Sequence, residues 1–132
     1  MAAISDYLED ELIEHVFRGG ALPAIPNIWL ALFTTDPKDT DVGVEVAGGS
    51  YARQQITGGT AFTVPVNGRS ENGGVITFPT ATAGWTTVTH AGIYDAVGGG
   101  NLLFHAKLTT ARTVNLGDTF SVGAGELVVR FS

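Results

Sequence analysis

The sequence predicts a mainly β fold, an antiparallel β-sandwich of jelly-roll type, with one α-helix at the N-terminus. Two observations lead to this prediction. Glycines cluster at residues 19–20, 48–49, 58–59, 73–74 and 98–100, and the stretches between the clusters are of strand length and rich in threonine and β-branched or aromatic residues. Short strands separated by frequent turn signals are typical of all-β sandwiches and barrels, not of alternating βαβ units.

The helix is predicted over residues 5–18, where Ser5 or Asp6 can serve as the N-cap and the glycines at 19–20 end it. Its apolar stripe consists of Leu8, Leu12 and Val16, with Ile13 and Phe17 beside it. We expect this stripe to pack on the body of the protein and the acidic face to be solvated.

The strands are predicted from residue 28 onward. Residues 28–33 are apolar on both alternating sets, which indicates a central strand covered on each face, with the helix as a candidate cover for one of them. The clearest hairpin joins residues 86–96 to residues 101–109 through the glycines at 98–100. The remaining predicted strands are 50–57, 60–66, 75–78, 119–122 and 126–131, with a polar loop at 35–49 and an exposed turn at 67–74.

Length and composition predict a single domain over residues 1–132, with the helix in 1–20 and the β body in 27–132. Hydrophobic residues make up 44% of the chain and charged residues 15%, which excludes disorder by composition. The absence of cysteine excludes disulfides and thiolate sites. Because no apolar run approaches the length of a membrane span and no basic region precedes one at the N-terminus, we expect a soluble protein without an export signal.

Charge is distributed unevenly along the chain. The net charge is −6, which argues against binding to nucleic acid. Residues 1–45 carry nine acidic and two basic side chains, whereas residues 46–132 carry four acidic and five basic ones. A nearly neutral body rich in glycine and threonine predicts a surface that faces other protein rather than water.

Two groups of residues are candidate metal ligands. His90 and His105 fall opposite each other on one face of the predicted hairpin, a face that also holds Val88 and Tyr94, but no third ligand is identifiable and two packed imidazoles are the alternative. The loop with Asp36, Asp39, Asp41 and Glu45 offers oxygen ligands for Ca²⁺, with a solvated acidic turn as its alternative. We find no catalytic or cofactor-binding motif, so we predict no enzyme, no cofactor and no metal.

Arg53 and the two tryptophans are candidates for interaction. Arg53 lies beside Tyr51 in a predicted strand, where its guanidinium group can bridge carboxylates across a subunit boundary or fix its own acidic loop. Trp29 stands in the most apolar segment and is expected in the core. Trp85 borders a loop, so both core packing and a sugar-stacking surface stay open for it.

Four stretches of the sequence resemble a family of small tailed-phage virion proteins, commonly labelled tail fibre or minor tail proteins. They are EVAGGSYARQ at 45–54, ITFP at 76–79, WTTVTHAGIYD at 85–95 and GNLLFH at 100–105. The likeness begins in the helix, SDYLEDELIEHVFRG at 5–19, and continues through NLGDTF at 115–120, so it covers most of the chain in consistent order.

The resemblance implies a non-catalytic, tail- or fibre-associated building block of the virion, assembled in multiple copies in the bacterial host cytoplasm. Its partners are expected to be other phage structural proteins and its own copies, in a trimer by analogy, with the edge of the strand at 101–109 against a neighbour. A capsid decoration (cement) protein and a receptor- or carbohydrate-binding module at a fibre tip are the alternatives. The residues expected to take part in interactions are Tyr51, Arg53, Trp85, His90 and His105.

Overall fold

Nine strands, one α-helix and one short 3-10 helix (Gly58–Thr60) organise the part of the chain that the computed structural model describes, residues 2–131. The α-helix is α1 (Asp6–Arg18), and the strands are β1 (Ala3–Ile4), β2 (Trp29–Phe33), β3 (Gln54–Gln55), β4 (Arg69–Glu71), β5 (Ile76–Thr77), β6 (Thr86–Tyr94), β7 (Leu102–Val114), β8 (Ser121–Val122) and β9 (Val128–Arg130). These strands pair antiparallel. A mainly β, sandwich-like fold with an N-terminal helix is thereby confirmed, while the jelly-roll connectivity stays a prediction.

Helix α1 begins and ends where its sequence signals predict. The Ser5 hydroxyl accepts a hydrogen bond of 3.2 Å from the Leu8 backbone N–H, and Gly19 ends the helix at a φ of +74° that glycine adopts without strain. The predicted burial of the apolar stripe is wrong beyond the first turns. Leu8 is buried, but Val16 and Phe17 are exposed because the second half of the helix lies away from the sheets. Within residues 2–131, no helix is long and apolar enough to cross a bilayer.

A five-stranded sheet in the order β1-β7-β6-β2-β3 forms the centre of the fold. The predicted hairpin through the glycines at 98–100 is confirmed as β6 and β7, and β7 continues past the predicted end at residue 109 to Val114. Two small sheets, β4 with β9 and β5 with β8, join segments far apart in the sequence. The main core contains side chains from the central sheet and side chains from the segments that form the two small sheets.

Strand β2 is buried on both faces, as its unbroken apolar sequence predicts. Leu30 and Leu32 lie in the main core, whereas Ala31 and Phe33 belong to a second apolar cluster on the other face. Helix α1, a candidate cover for one face of this strand, does not cover the second face. Residues 36–45 cover it instead, because the chain turns back over the sheet directly after β2.

A slip in the register between β6 and β7 decides which side chains face the main core. The pairs Val88–Arg112 and His90–Lys107 are separated by one residue on β6 but by four on β7. Such a bulge disturbs the alternation of side chains. The prediction that Val88 shares a face with His90 is therefore wrong: Val88 packs beside Ala91 in the main core, and His90 lies on the opposite face.

Of the two tryptophans, Trp85 packs in the core, one of the two environments left open for it, whereas Trp29 does not lie where the sequence placed it. Trp85 is 3% exposed and packs edge-on against Phe78 in the main core, with ring centroids 6.4 Å apart. Trp29, expected in the core, is only half-buried because it is the first residue of β2, where the second face is incompletely covered.

The predicted strands between residues 50 and 74 are mostly replaced by loops. Only Gln54–Gln55 forms a strand within 50–57, and 60–66 forms none. The expected exposed turn at 67–74 instead holds β4 and the buried Asn72. The Asn72 side-chain N–H groups donate to two backbone carbonyls, and its oxygen accepts the Leu127 N–H at 2.9 Å. These side-chain hydrogen bonds fix the backbone around Asn72 and explain why this residue is buried and not part of an exposed turn.

Candidate functional site

The acidic segment, which we define as residues 36–45, is the best-organised polar region of the described chain. Hydrogen bonds from the Thr34 N–H to the Val44 carbonyl, 2.9 Å, and from the Val46 N–H to the Leu32 carbonyl, 3.0 Å, hold its two ends beside the end of β2. Pro37, which belongs to the segment, is fully buried. The segment is therefore part of the fold and covers the second face of the central sheet.

Each aspartate of the acidic segment has a partner on the sheet face beneath it. Asp36 Oδ1 lies 3.9 Å from His90 Nε2, Asp39 Oδ1 lies 2.6 Å from His105 Nε2, and Asp41 accepts a hydrogen bond from the Tyr94 hydroxyl. The backbone N–H of Lys38 donates to Asp36, and together with the two nearby histidines it holds the pKa of the Asp36 carboxyl below its ordinary value. The sequence placed these aspartates together but did not show what they contact.

The histidines lie on one face of the hairpin, as expected, but not directly opposite each other. His105 pairs with Gly92 and His90 pairs with Lys107, an offset of two residues. Each imidazole therefore meets its own aspartate instead of sharing a ligand. No three His, Asp or Glu side chains in residues 2–131 stand close enough together to hold a metal ion.

Arg53 lies at the edge of the acidic segment and uses its whole guanidinium group. Its Nε and one terminal nitrogen donate to the two carboxylate oxygens of Glu45, at 2.9 and 2.8 Å. The other terminal nitrogen donates to the carbonyls of Ala96 and Gly99, and the guanidinium carbon lies 3.8 Å from the centre of the Tyr94 ring. Of the two roles expected for Arg53, the structure contains the one within the chain, and a role across a subunit boundary stays a prediction.

Tyr51 connects the acidic segment to the main core. Its hydroxyl donates to Glu45 at 2.6 Å and accepts the backbone N–H of Leu32 at 3.0 Å, while its ring meets Trp85 edge-on with centroids 5.5 Å apart. Burial raises the pKa of Tyr51 far above its ordinary value, and the hydrogen bond to Glu45 adds to the rise. Tyr51 and Arg53 thus hold the same carboxylate from two sides.

Trp85 lies inside the main core and not at the surface. Its indole N–H donates to the Gly49 carbonyl at 2.9 Å, and its ring is enclosed by core side chains. A buried indole presents no face on which a sugar can stack. The structure thereby resolves the alternatives left open for Trp85 in favour of core packing.

Nearly the whole chain matches a single protein family. Residues 3–130 match the model of the family described as Podophage GP4 fiber I protein gp80. The chain belongs to this fibre I family. The resemblance to virion proteins of tailed phages is thereby confirmed, and the family supports a structural role in a phage fibre. No curated protein sequence matches the chain.

The match to the fibre I family includes α1, the acidic segment and both strands of the central hairpin. It also includes two apolar areas whose exposure the sequence did not reveal. One is formed by Ile13, Val16 and Phe17 on α1, and the other by Val64 and Val66 next to β4. The sequence showed the spacing of both areas, which is i, i+3 and i+4 on the helix and i, i+2 in the extended segment. It does not show which apolar stripe is left uncovered.

Proposed function

We propose that this protein is a non-enzymatic structural component of the tail fibre of a tailed bacteriophage, acting through protein–protein contacts in multiple copies. The match of residues 3–130 to a podophage fibre family carries this proposal. Its partners are other phage structural proteins and further copies of itself. The protein resides in the virion and is assembled in the cytoplasm of the bacterial host.

The residues singled out for interaction support this role indirectly. Tyr51, Arg53, His90 and His105 direct their polar atoms to partners within the chain. Trp85 supports Tyr51 from the core. We therefore propose that these five side chains serve assembly by fixing the acidic segment in one conformation, so that a neighbouring protein meets a preorganised surface.

The outer edge of β7 supports the proposal that several copies of this single-domain chain assemble. Strand β1 pairs only with Phe104 and His105 of β7, and β7 extends to Val114. Most of β7 beyond residue 106 is exposed. An exposed strand edge offers unpaired backbone groups to another chain. We propose a homo-oligomer, a trimer by analogy with other fibre proteins, in which such edges are covered.

Cryo-electron microscopy of the intact phage particle tests the proposal. We expect density that fits the helix and the five-stranded sheet of this chain within a tail fibre, repeated in symmetric copies. Density on the head would instead support a capsid decoration protein. Binding of the purified chain to expanded empty shells at saturating stoichiometry would support the same alternative and contradict the fibre role.

A further inference from the structure

One face of α1 combines carboxylates with uncovered apolar side chains. Ile13, Val16 and Phe17 follow one another at helical spacing in its last turns, and Phe17 is 79% exposed. Glu9 and Asp10 lie one turn before Ile13 on the same face. We call these five residues the helix face. A large apolar side chain left in water beside others of its kind is a common mark of a binding surface.

A groove beside β4 and β9 has the complementary character. Val64 and Val66 border it and are 83% and 66% exposed, and its volume is about 580 Å³. Arg69 and Arg130 stand directly opposite each other across the two strands and also line it. Like charges in directly opposed positions of a sheet destabilise it. We call these four residues the arginine groove.

The arginine groove is not neutralised within its own sheet. Glu71 also lines the groove and pairs with Arg69 at 3.3 Å, so two arginines and one carboxylate leave its lining with a net charge of +1. Both side chains of this pair are substantially exposed, so the contact offsets little of the repulsion. The chain as a whole is acidic, with a net charge of −6. The repulsion between the two arginines and the exposure of the valines are unfavourable in the free protein. An acidic and apolar surface bound in the groove would relieve both.

We propose that the helix face of one copy docks into the arginine groove of a second copy of this chain. Charge complementarity selects this occupant: the helix face brings Glu9 and Asp10 toward Arg69 and Arg130, and its apolar side chains cover Val64 and Val66. The inference rests on the proposed assembly in multiple copies and names one contact within it, separate from the outer edge of β7. Because the two surfaces differ, the contact is head-to-tail, and it closes into a ring if the rotation between copies allows.

The apolar half of the contact is tested with the full-length chain by sedimentation equilibrium. We expect Phe17→Ser to weaken self-association at least about tenfold, since a buried aromatic is a typical hot spot of an interface. Leu116→Ser is the matched control, because Leu116 is 71% exposed in a turn and belongs to neither surface. Circular dichroism of both variants is expected to match the wild type, as neither side chain is in the core.

The charged half of the contact is tested by reversal and rescue. We expect Asp10→Arg and Arg130→Glu each to weaken self-association about tenfold at low ionic strength, and the double variant to regain most of the loss. Rescue by the second reversal is the readout that damage to the fold would not produce. Higher salt is expected to reduce the wild-type association and the differences between variants.

Four outcomes would overturn the inference, and they separate it from the proposed function. A wild-type chain that associates while Phe17→Ser and both charge reversals associate equally would overturn this contact alone. Loss of association in the single reversals without rescue in the double variant would do the same. A wild-type chain that is monomeric at about 100 μM would overturn both the contact and the proposed self-assembly. If the same variants instead weakened a complex with another virion protein, the helix face would be assigned to that protein.

Discussion

Arg53 and Glu45 form a two-pronged ion pair at the place where the acidic segment returns to the body. The two hydrogen bonds measure 2.8 and 2.9 Å, and the Arg53 side chain is 7% exposed. A lysine cannot reproduce this geometry, because its single ammonium group cannot donate to both oxygens and to the carbonyls of Ala96 and Gly99 at once. The pair therefore links the acidic segment to the turn of the central hairpin.

Replacing Arg53 is expected to destabilise the protein strongly. Arg53→Ala leaves Glu45 partly buried without its partner, which costs about 3 kcal/mol in the free energy of unfolding. Urea denaturation followed by circular dichroism measures the loss. The matched control is Arg18→Ala, since Arg18 forms an exposed pair with Glu14 on α1 and its removal is expected to cost less than about 0.5 kcal/mol. Equal effects of the two variants would contradict the structural role of Arg53.

Adding a single methyl group at Gly92 is expected to strain the second apolar cluster. A Cβ there would come within 2.9 Å of both the Leu102 and the Phe33 side chains. We expect Gly92→Ala to lower the free energy of unfolding by about 1–3 kcal/mol through overpacking. Gly98→Ala, in the turn of the same hairpin, meets no atom within 4 Å and serves as the control. An unchanged midpoint of denaturation for Gly92→Ala would show that the cluster is looser than described.

Alkaline pH is expected to unfold the protein through Tyr51 and Tyr94. Burial raises the pKa of both hydroxyls, and their hydrogen bonds to Glu45 and Asp41 raise it further. The unfolded chain loses these protons first, near the ordinary pKa of about 10. The contribution of the two tyrosines to the free energy of unfolding is therefore constant below that pH and is lost as the pH rises above it.

The absorbance of tyrosinate, recorded beside circular dichroism, measures this coupling. We expect Tyr7, which is only half-buried at the edge of the main core, to ionise in the native state, and Tyr51 and Tyr94 to ionise only together with unfolding. Tyr51→Phe removes one of the two and is expected to flatten the decline in stability at high pH. Ionisation of all three tyrosines near pH 10 with an unchanged circular dichroism spectrum would contradict the described burial.

Trp85 is expected to matter for folding and not for binding to a host surface. Trp85→Ala removes a side chain from the centre of the core and is expected to cost about 3–5 kcal/mol. Trp29→Ala, at the half-buried end of β2, is expected to cost clearly less. Thermal denaturation compares the two. A Trp85→Ala protein that keeps wild-type stability but abolishes adsorption of phage to cells would revive the receptor-binding alternative.

Local signals predicted the elements whose stability is local. The caps of α1, the apolar run of β2 and the glycine turn between β6 and β7 were all visible in the sequence, because capping, alternation and turn chemistry depend on neighbouring residues. Strand β4 was missed, because it lies where a turn was predicted and forms by pairing with β9, far away in the sequence. Strand β9 falls within the strand predicted at 126–131, but no local pattern identifies its partner.

The same distinction applies to the candidate site. The sequence by itself determined the acid-rich N-terminal third, the apolar β body, the absence of cysteine chemistry and the family resemblance, since composition and residue order suffice for these. Only the tertiary structure decided that Arg53 holds Glu45, that His90 and His105 meet separate aspartates, and that the end of α1 stays uncovered. Those outcomes depend on a register slip between two strands and on the path of one loop, which long-range packing selects and local preferences do not.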